Sequence, residues 1–80
     1  MDRSEILQRI TDIVREELDD DDIHLSEDMK ASEIEDWDSL AHVRIVVAVE
    51  GEFGCRFATG EITSLDNIGD LVTLVEKHAG

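Results

Sequence analysis

The sequence predicts an all-α fold: a bundle of three main helices and one short helix, with a long loop between the first and second helices. Two observations predict this fold. Apolar residues recur at helical spacing in three segments, and the long stretch between the first two segments has apolar residues too irregularly spaced for a helix or a strand. The 80 residues have room for one domain, residues 1–80. Aromatic residues make up only 4% of the chain, so we expect a core of Ile, Leu and Val.

The first helix is predicted over roughly residues 3 to 18, where polar residues separate apolar ones at helical spacing. The apolar positions are Ile6, Leu7, Ile10, Ile13, Val14 and Leu18. Four aspartates, Asp19 to Asp22, then end the helix, because like charges repel and lie at the negative end of the helix dipole. The loop that follows has four isolated apolar residues, Ile23, Leu25, Met29 and Ile34. We expect them to fix this unusually long connection onto the core.

The second element covers Leu40 to Phe53, and its β-branched residues would also suit a strand. Val46 and Ala48 break the alternation that a half-exposed strand requires, whereas the apolar pattern follows helical spacing. We therefore predict a helix, with Gly54 as its C-terminal cap.

Two further helices are predicted near the C-terminus. A short one runs from Gly60 to Leu65. Ser64 or Asp66 can cap the last helix. The apolar face of that helix is formed by Ile68, Leu71, Val72 and Val75.

The formal net charge of −14 restricts the possible partners. It disfavours nucleic acid and anionic membranes and favours basic protein surfaces. From Glu16 to Asp38 there are twelve acidic residues and one basic residue, Lys30. A solvated loop that keeps the protein soluble would account for the same charge, so charge alone identifies no function. No apolar run could span a bilayer and no secretory N-terminal pattern is present, so we expect a cytoplasmic protein. We also expect it to be a monomer.

No set of side chains predicts catalysis or a resident metal. His24, His42 and His78 have no nucleophile or carboxylate at a telling spacing. Cys55 is the single cysteine, which excludes an intramolecular disulfide, and we expect it to be a half-buried packing residue. The aspartate run lacks the glycine and later glutamate of a calcium loop, which leaves only an incidental divalent-ion site open. We expect no catalytic residue, no dedicated metal site and no enzyme activity.

The segment Trp37-Asp38-Ser39-Leu40, where the loop enters the second helix, resembles the Asp-Ser-Leu motif of acyl carrier proteins. The resemblance covers nearly the whole chain, from the amphipathic first helix and the long loop to the Glu50-x-Glu52-Phe53 end of the second helix and Ser64-Leu65 before the last one. It implies that a phosphopantetheinyl transferase esterifies the Ser39 hydroxyl with 4'-phosphopantetheine from coenzyme A. It also implies that the thiol of this arm carries acyl groups as thioesters.

The position of the serine suits this modification on physical grounds, because the N–H groups and the positive dipole end at a helix N-terminus favour an attached phosphate. The resemblance implies that Asp38 helps to hold the transferase's magnesium and that Leu40 is a docking contact for partners. We expect the docking surface for partners to comprise Asp38, Leu40, Val43 and Arg44. The alternative is structural: Asp38 or Ser39 caps the helix and Leu40 belongs to the core.

Departures from the family pattern indicate a specialised pathway. Ala41, His42 and Arg44 stand where fatty-acid carriers typically show acidic residues. An arginine opposes enzymes with basic docking patches, so we expect polyketide-like, lipid or amino-acyl chemistry. The expected partners are a phosphopantetheinyl transferase, an acyl-loading ligase or acyltransferase, and a ketosynthase or another acyl-processing enzyme.

Two alternatives stay open. Trp37 either anchors the loop end by packing, which we favour, or contacts a partner. A tryptophan before Asp-Ser-Leu resembles stand-alone and polyketide-type carriers more than peptidyl carriers. A protein of a different class, an acidic adaptor or inhibitor that binds a basic partner without covalent modification, would share the same charge.

Overall fold

The computed structural model describes residues 2–79 and confirms the all-α prediction. Its helices are α1 (Arg3–Leu18), α2 (Ser39–Phe53), α3 (Thr59–Thr63) and α4 (Ile68–Ala79). The predicted long loop joins α1 to α2 and contains one 3₁₀ turn, Ala31–Glu33, that the sequence pattern did not indicate. The short helix predicted over Gly60 to Leu65 is present as α3, which begins one residue earlier and ends two residues earlier than predicted.

Helix α1 begins and ends with recognisable caps. The Asp2 carboxylate accepts a hydrogen bond from the Glu5 N–H at 2.9 Å. At the other end Asp19 adopts the left-handed conformation, with φ of 52°. The Asp19 N–H then donates to the Glu16 carbonyl and the Asp20 N–H to the Arg15 carbonyl, the pattern of a Schellman motif. Helix α1 thus ends where the aspartate run begins. These backbone bonds terminate it, in addition to the repulsion between the aspartates.

The core is aliphatic, as the composition predicted. Helix α1 packs against both α2 and α4. The side chains buried almost completely at their contacts are Ile10, Val14, Ile45, Val49, Leu71, Val72 and Val75. The predicted loop residues Ile23, Leu25, Met29 and Ile34 are partly buried and pack against this core. The expectation that they fix the loop onto the bundle is confirmed.

The loop also contributes backbone groups to the start of α4. The N–H groups of Ile68 and Gly69 donate to the carbonyls of Met29 and Glu27, both at 2.8 Å. These bonds satisfy two donors that have no partner within the helix itself. Arg3 of α1 also binds this part of the loop, because its guanidinium pairs with the Glu27 carboxylate. Both side chains and backbone groups of the long loop therefore bind it to the helices.

The predicted cap of α4 is wrong. The Asp70 N–H donates to the side-chain oxygen of Asn67 at 2.8 Å, so Asn67 caps the helix rather than Ser64 or Asp66. The physical reason is that helical backbone begins at Ile68, and the residue just before it supplies the capping oxygen. Asp66 instead donates its N–H to the Asp70 carboxylate at 2.9 Å.

The predicted C-terminal cap of α2 is confirmed, since Gly54 is left-handed with φ of 63°.

Candidate functional site at the start of helix α2

Asp38 is the N-cap of α2. Its backbone is extended, and its carboxylate accepts a hydrogen bond from the Ala41 N–H at 2.8 Å. Ser39 is consequently the first residue inside the helix. Of the two candidate capping residues, Asp38 caps the helix, and the Ser39 side chain does not take part in capping.

Ser39 presents an exposed side chain at the N-terminus of a 15-residue helix. Within residues 2–79 its hydroxyl forms no hydrogen bond, whereas those of Ser4, Ser26 and Ser64 each bond to a neighbour. The N–H groups of the first turn and the positive end of the helix dipole lie beside it. An ester of phosphate formed there breaks no hydrogen bond of the fold, and the helix N-terminus favours its negative charge.

Trp37 fixes the end of the loop just before the motif. Its side chain is buried, with 8% of its surface exposed, and belongs to the core cluster. The indole Nε1–H donates to Nδ1 of His42 at 3.1 Å, which ties the loop to the first turn of α2. The packing role that we favoured for Trp37 is confirmed. His42, which stands at one of the positions that depart from the family pattern, therefore has an internal partner.

Three of the four predicted docking residues, Leu40, Val43 and Arg44, share an exposed face of α2, and the fourth, Asp38, is exposed just before the helix begins. Leu40 is 68% exposed and Val43 is 56% exposed. The alternative that Leu40 belongs to the core is therefore wrong. Val47, which is 60% exposed, continues the same face and was not among the predicted docking residues. Its spacing of four residues from Val43 and seven from Leu40 could have revealed it.

Arg44 lies on this face among the exposed apolar side chains. Its Nε atom is 3.4 Å from a carboxylate oxygen of Glu17, and its Nη2 atom donates to the Glu17 carbonyl, also at 3.4 Å. The end of α1 therefore orients this guanidinium. The sequence indicated an exposed Arg44 but not this partner, which is 27 residues away along the chain.

Several other groups bear on what the site can do. Cys55 is half-buried and packs against the core, as expected. Burial raises the pKa of its thiol, and Glu50 raises it further, so Cys55 is not an activated nucleophile. Among residues 2–79 no three or more His, Cys, Asp or Glu side chains are grouped to hold a metal ion. Over the same residues, no helix has the length and apolar character needed to cross a membrane.

Comparison with known proteins identifies relatives along the whole chain. A family model described as a phosphopantetheine attachment site matches residues 5–75. The acyl carrier protein of Thermotoga maritima is 31% identical over 78 residues, which cover 98% of this chain and 96% of the relative. That of Caulobacter vibrioides is 39% identical over 79 residues, covering 95% and 99%. The solution structure of holo acyl carrier protein from Geobacter metallireducens superposes with a TM-score of 0.83 at 42% identity, covering 90% of this chain and 83% of that one.

Proposed function

This chain belongs to the acyl carrier protein family, and we propose that Ser39 is the residue to which its 4'-phosphopantetheine is attached. Acyl carrier proteins are carriers and not enzymes, and they work with a transferase and with acyl-processing enzymes. The attached arm supplies a thiol that holds acyl groups as thioesters. The residues of this chain hold that arm and present it to partners.

The observation that carries the proposal is that Asp38, and not Ser39, caps helix α2. Asp38 caps α2 through the Ala41 N–H, so the neighbouring hydroxyl is free to accept a substituent. Ser39 is exposed, and the first turn of α2 offers unpaired N–H groups to an anion. The residues present therefore fit a phosphodiester at this position.

Ser39 also compares favourably with the other serines of the described chain. Ser4, Ser26 and Ser64 use their hydroxyls in hydrogen bonds to Asp2, Asp28 and Glu61. Ser32 is exposed but lies in the 3₁₀ turn, which has no N-terminal dipole of comparable length. Ser4 is also exposed at the start of a long helix, but its hydroxyl is already bonded to Asp2. Among the serines of the described chain, only Ser39 combines exposure, a hydroxyl without a hydrogen bond and the start of a long helix.

The proposal includes the neighbouring roles expected from the sequence. Asp38 offers a carboxylate to the magnesium of the transferase, an ion that prefers oxygen ligands. Asp38 also belongs to the surface on which partners dock, together with Leu40, Val43 and Arg44, because all four are exposed next to Ser39. The proposed partners are a phosphopantetheinyl transferase, an acyl-loading ligase or acyltransferase, and a ketosynthase or another acyl-processing enzyme.

We place this carrier in a specialised pathway with polyketide-like, lipid or amino-acyl chemistry. Ala41, His42 and Arg44 support this, because acidic residues that would match a basic docking patch are missing from the first turns of α2. A cytoplasmic location is part of the same proposal, and a single cysteine is compatible with a reducing compartment. The alternative of an unmodified acidic adaptor has no support from the comparisons.

The proposal is tested by modifying the purified apo-protein in vitro. The protein is incubated with coenzyme A, magnesium and a promiscuous phosphopantetheinyl transferase, and its intact mass is measured. We expect a gain of one phosphopantetheinyl group in the wild type and in the Ser32→Ala control, and no gain in Ser39→Ala. A folded wild type that gains no mass, or a Ser39→Ala variant that gains it, would contradict the proposal.

A further inference from the structure

The exposed face of α2 differs in charge from the rest of this acidic protein. The two carboxylates of α2 add little charge to its exposed apolar side. Glu50 is half-buried and accepts a hydrogen bond from the Phe57 N–H at 2.8 Å. Glu52, which pairs with Arg9 at 2.9 Å, lies about 140° around the helix axis from Val47. The acidic residues that dominate the chain lie mainly between Glu16 and Asp38, before α2 begins. The exposed face is left with little negative charge of its own.

This face, which we term the α2 face, consists of Leu40, Val43, Arg44, Val47 and Gly51. The spacing of these residues places them on one side of the helix. The three apolar side chains are each more than half exposed. Nothing lies within 4 Å of the position that a Cβ of Gly51 would occupy, so the lower part of the face is flat and open. Within the described residues of the face, Arg44 is the charged member.

The ion pair of Arg44 does not remove it from reach of a partner. Its side chain is 55% exposed and that of Glu17 is 27% exposed. An ion pair this exposed to solvent stabilises a protein only weakly and exchanges readily. A carboxylate from a docking enzyme can therefore replace or join Glu17 at the guanidinium, which Glu17 already holds on the α2 face.

We propose that the transferase that modifies Ser39 docks on the α2 face through an apolar groove with a carboxylate opposite Arg44, and not through a basic patch. The inference rests on the proposed modification of Ser39. A helix that offers apolar side chains at positions i, i+3 and i+7 fits a hydrophobic groove. A basic residue facing Arg44 would bring like charges together, whereas a carboxylate there is complementary. The acidic loop can still attract enzymes from a distance, since long-range steering and local docking are separate effects.

The test measures kcat/KM for phosphopantetheinylation by the transferase of the organism that makes this protein. We expect Arg44→Glu to lower kcat/KM at least about tenfold, chiefly through KM, and Arg44→Gln to lower it less. Lys30→Glu is the matched control, because it makes the same charge change at an exposed position in the loop. We expect it to stay within about twofold of the wild type. An Arg44→Glu variant modified as fast as the wild type, or faster, would overturn the proposal.

A second variant separates docking from structure. Glu17→Gln removes the internal partner of Arg44 and leaves the guanidinium on the α2 face. We expect Glu17→Gln not to slow the reaction, while melting curves verify that every variant is folded. If Glu17→Gln slows the reaction as much as Arg44→Gln, Arg44 acts through the ion pair and the proposal is wrong. A wild type that the transferase does not modify at all would instead refute the proposed function of Ser39.

Discussion

The indole N–H of Trp37 donates a hydrogen bond to Nδ1 of His42 at 3.1 Å, and this bond joins the end of the long loop to the first turn of α2. It thus holds the segment that precedes Ser39 against the bundle. The bond requires the tautomer of His42 in which Nδ1 carries no proton. A residue that departs from the family pattern therefore has a structural purpose.

We expect His42→Ala to destabilise the fold. The substitution leaves the N–H of a buried indole without its partner, which typically costs about 1–3 kcal/mol. Urea denaturation monitored by circular dichroism gives the free energy of unfolding. In a Trp37→Phe background the same substitution should cost clearly less, because the donor is already gone. Equal costs in both backgrounds would show that the hydrogen bond does not stabilise the protein.

Gly69 is predicted to resist substitution by alanine, although alanine is the better helix former. A Cβ at Gly69 would lie 3.0 Å from the Glu27 carbonyl oxygen and 3.1 Å from the Glu27 Cβ. The loop would have to move away from α4, which also strains the 2.8 Å hydrogen bond between the Gly69 N–H and that carbonyl. We expect Gly69→Ala to lower the melting temperature.

Gly51→Ala provides the matched control for Gly69→Ala. Gly51 also lies within a helix, but nothing is within 4 Å of its Cβ position. Alanine there should stabilise the protein by about 0.5–1 kcal/mol through helix propensity alone. If both variants shift the melting temperature upward, the close approach of the loop to α4 is not a constraint.

Asp38 has two separable roles, as a cap and as a carboxylate. Asp38→Ala should cost about 0.5–2 kcal/mol of stability because the Ala41 N–H loses its acceptor. Asp38→Asn should keep nearly all of the stability, since asparagine caps a helix about as well. If the carboxylate serves the transferase's magnesium, Asp38→Asn will still be modified more slowly than the wild type. A normal rate of modification for Asp38→Asn would restrict Asp38 to its capping role.

Glu61 makes a specific contribution to acid stability. A hydrogen bond from the Ala58 N–H, together with His78 and Lys77, lowers the pKa of Glu61 from 4.5 to about 2. Because the pKa is lower in the folded state, its contribution is present above about pH 4.5 and is lost as the pH falls towards about 2. We expect Glu61→Gln to flatten the decline of the unfolding free energy over this window. Glu35→Gln, at an exposed loop position, is the control. Identical slopes for Glu61→Gln and the wild type would contradict the assignment.

The sequence predicted the elements whose signal is local. The apolar spacing of α1, the glycine cap at Gly54 and the serine at the start of α2 are each visible within a few residues. Contacts between distant segments were not predictable in this way. Every residue has a carbonyl, so nothing in the sequence marks Glu27 and Met29 as acceptors for α4.

In the candidate site too, local features could be predicted and contacts between distant segments could not. Its residues Asp38, Ser39 and Leu40 could be selected from the motif and its place in the chain. Their division of roles could not, because both Asp38 and Ser39 are good capping residues and only the backbone conformation decides between them. The pairing of Arg44 with Glu17 depends on how α1 packs against α2, which apolar spacing alone leaves undetermined.

Protein purified from the organism that produces it will show whether Ser39 carries the arm in the cell. The protein is digested, and tandem mass spectrometry assigns the modified residue from the fragment ions. We predict one phosphopantetheinyl group, on Ser39, in the peptide that contains Trp37 and Leu40. A group found on Ser32 or another residue, or a protein that carries none although its pathway is active, would contradict the assignment of the arm to Ser39.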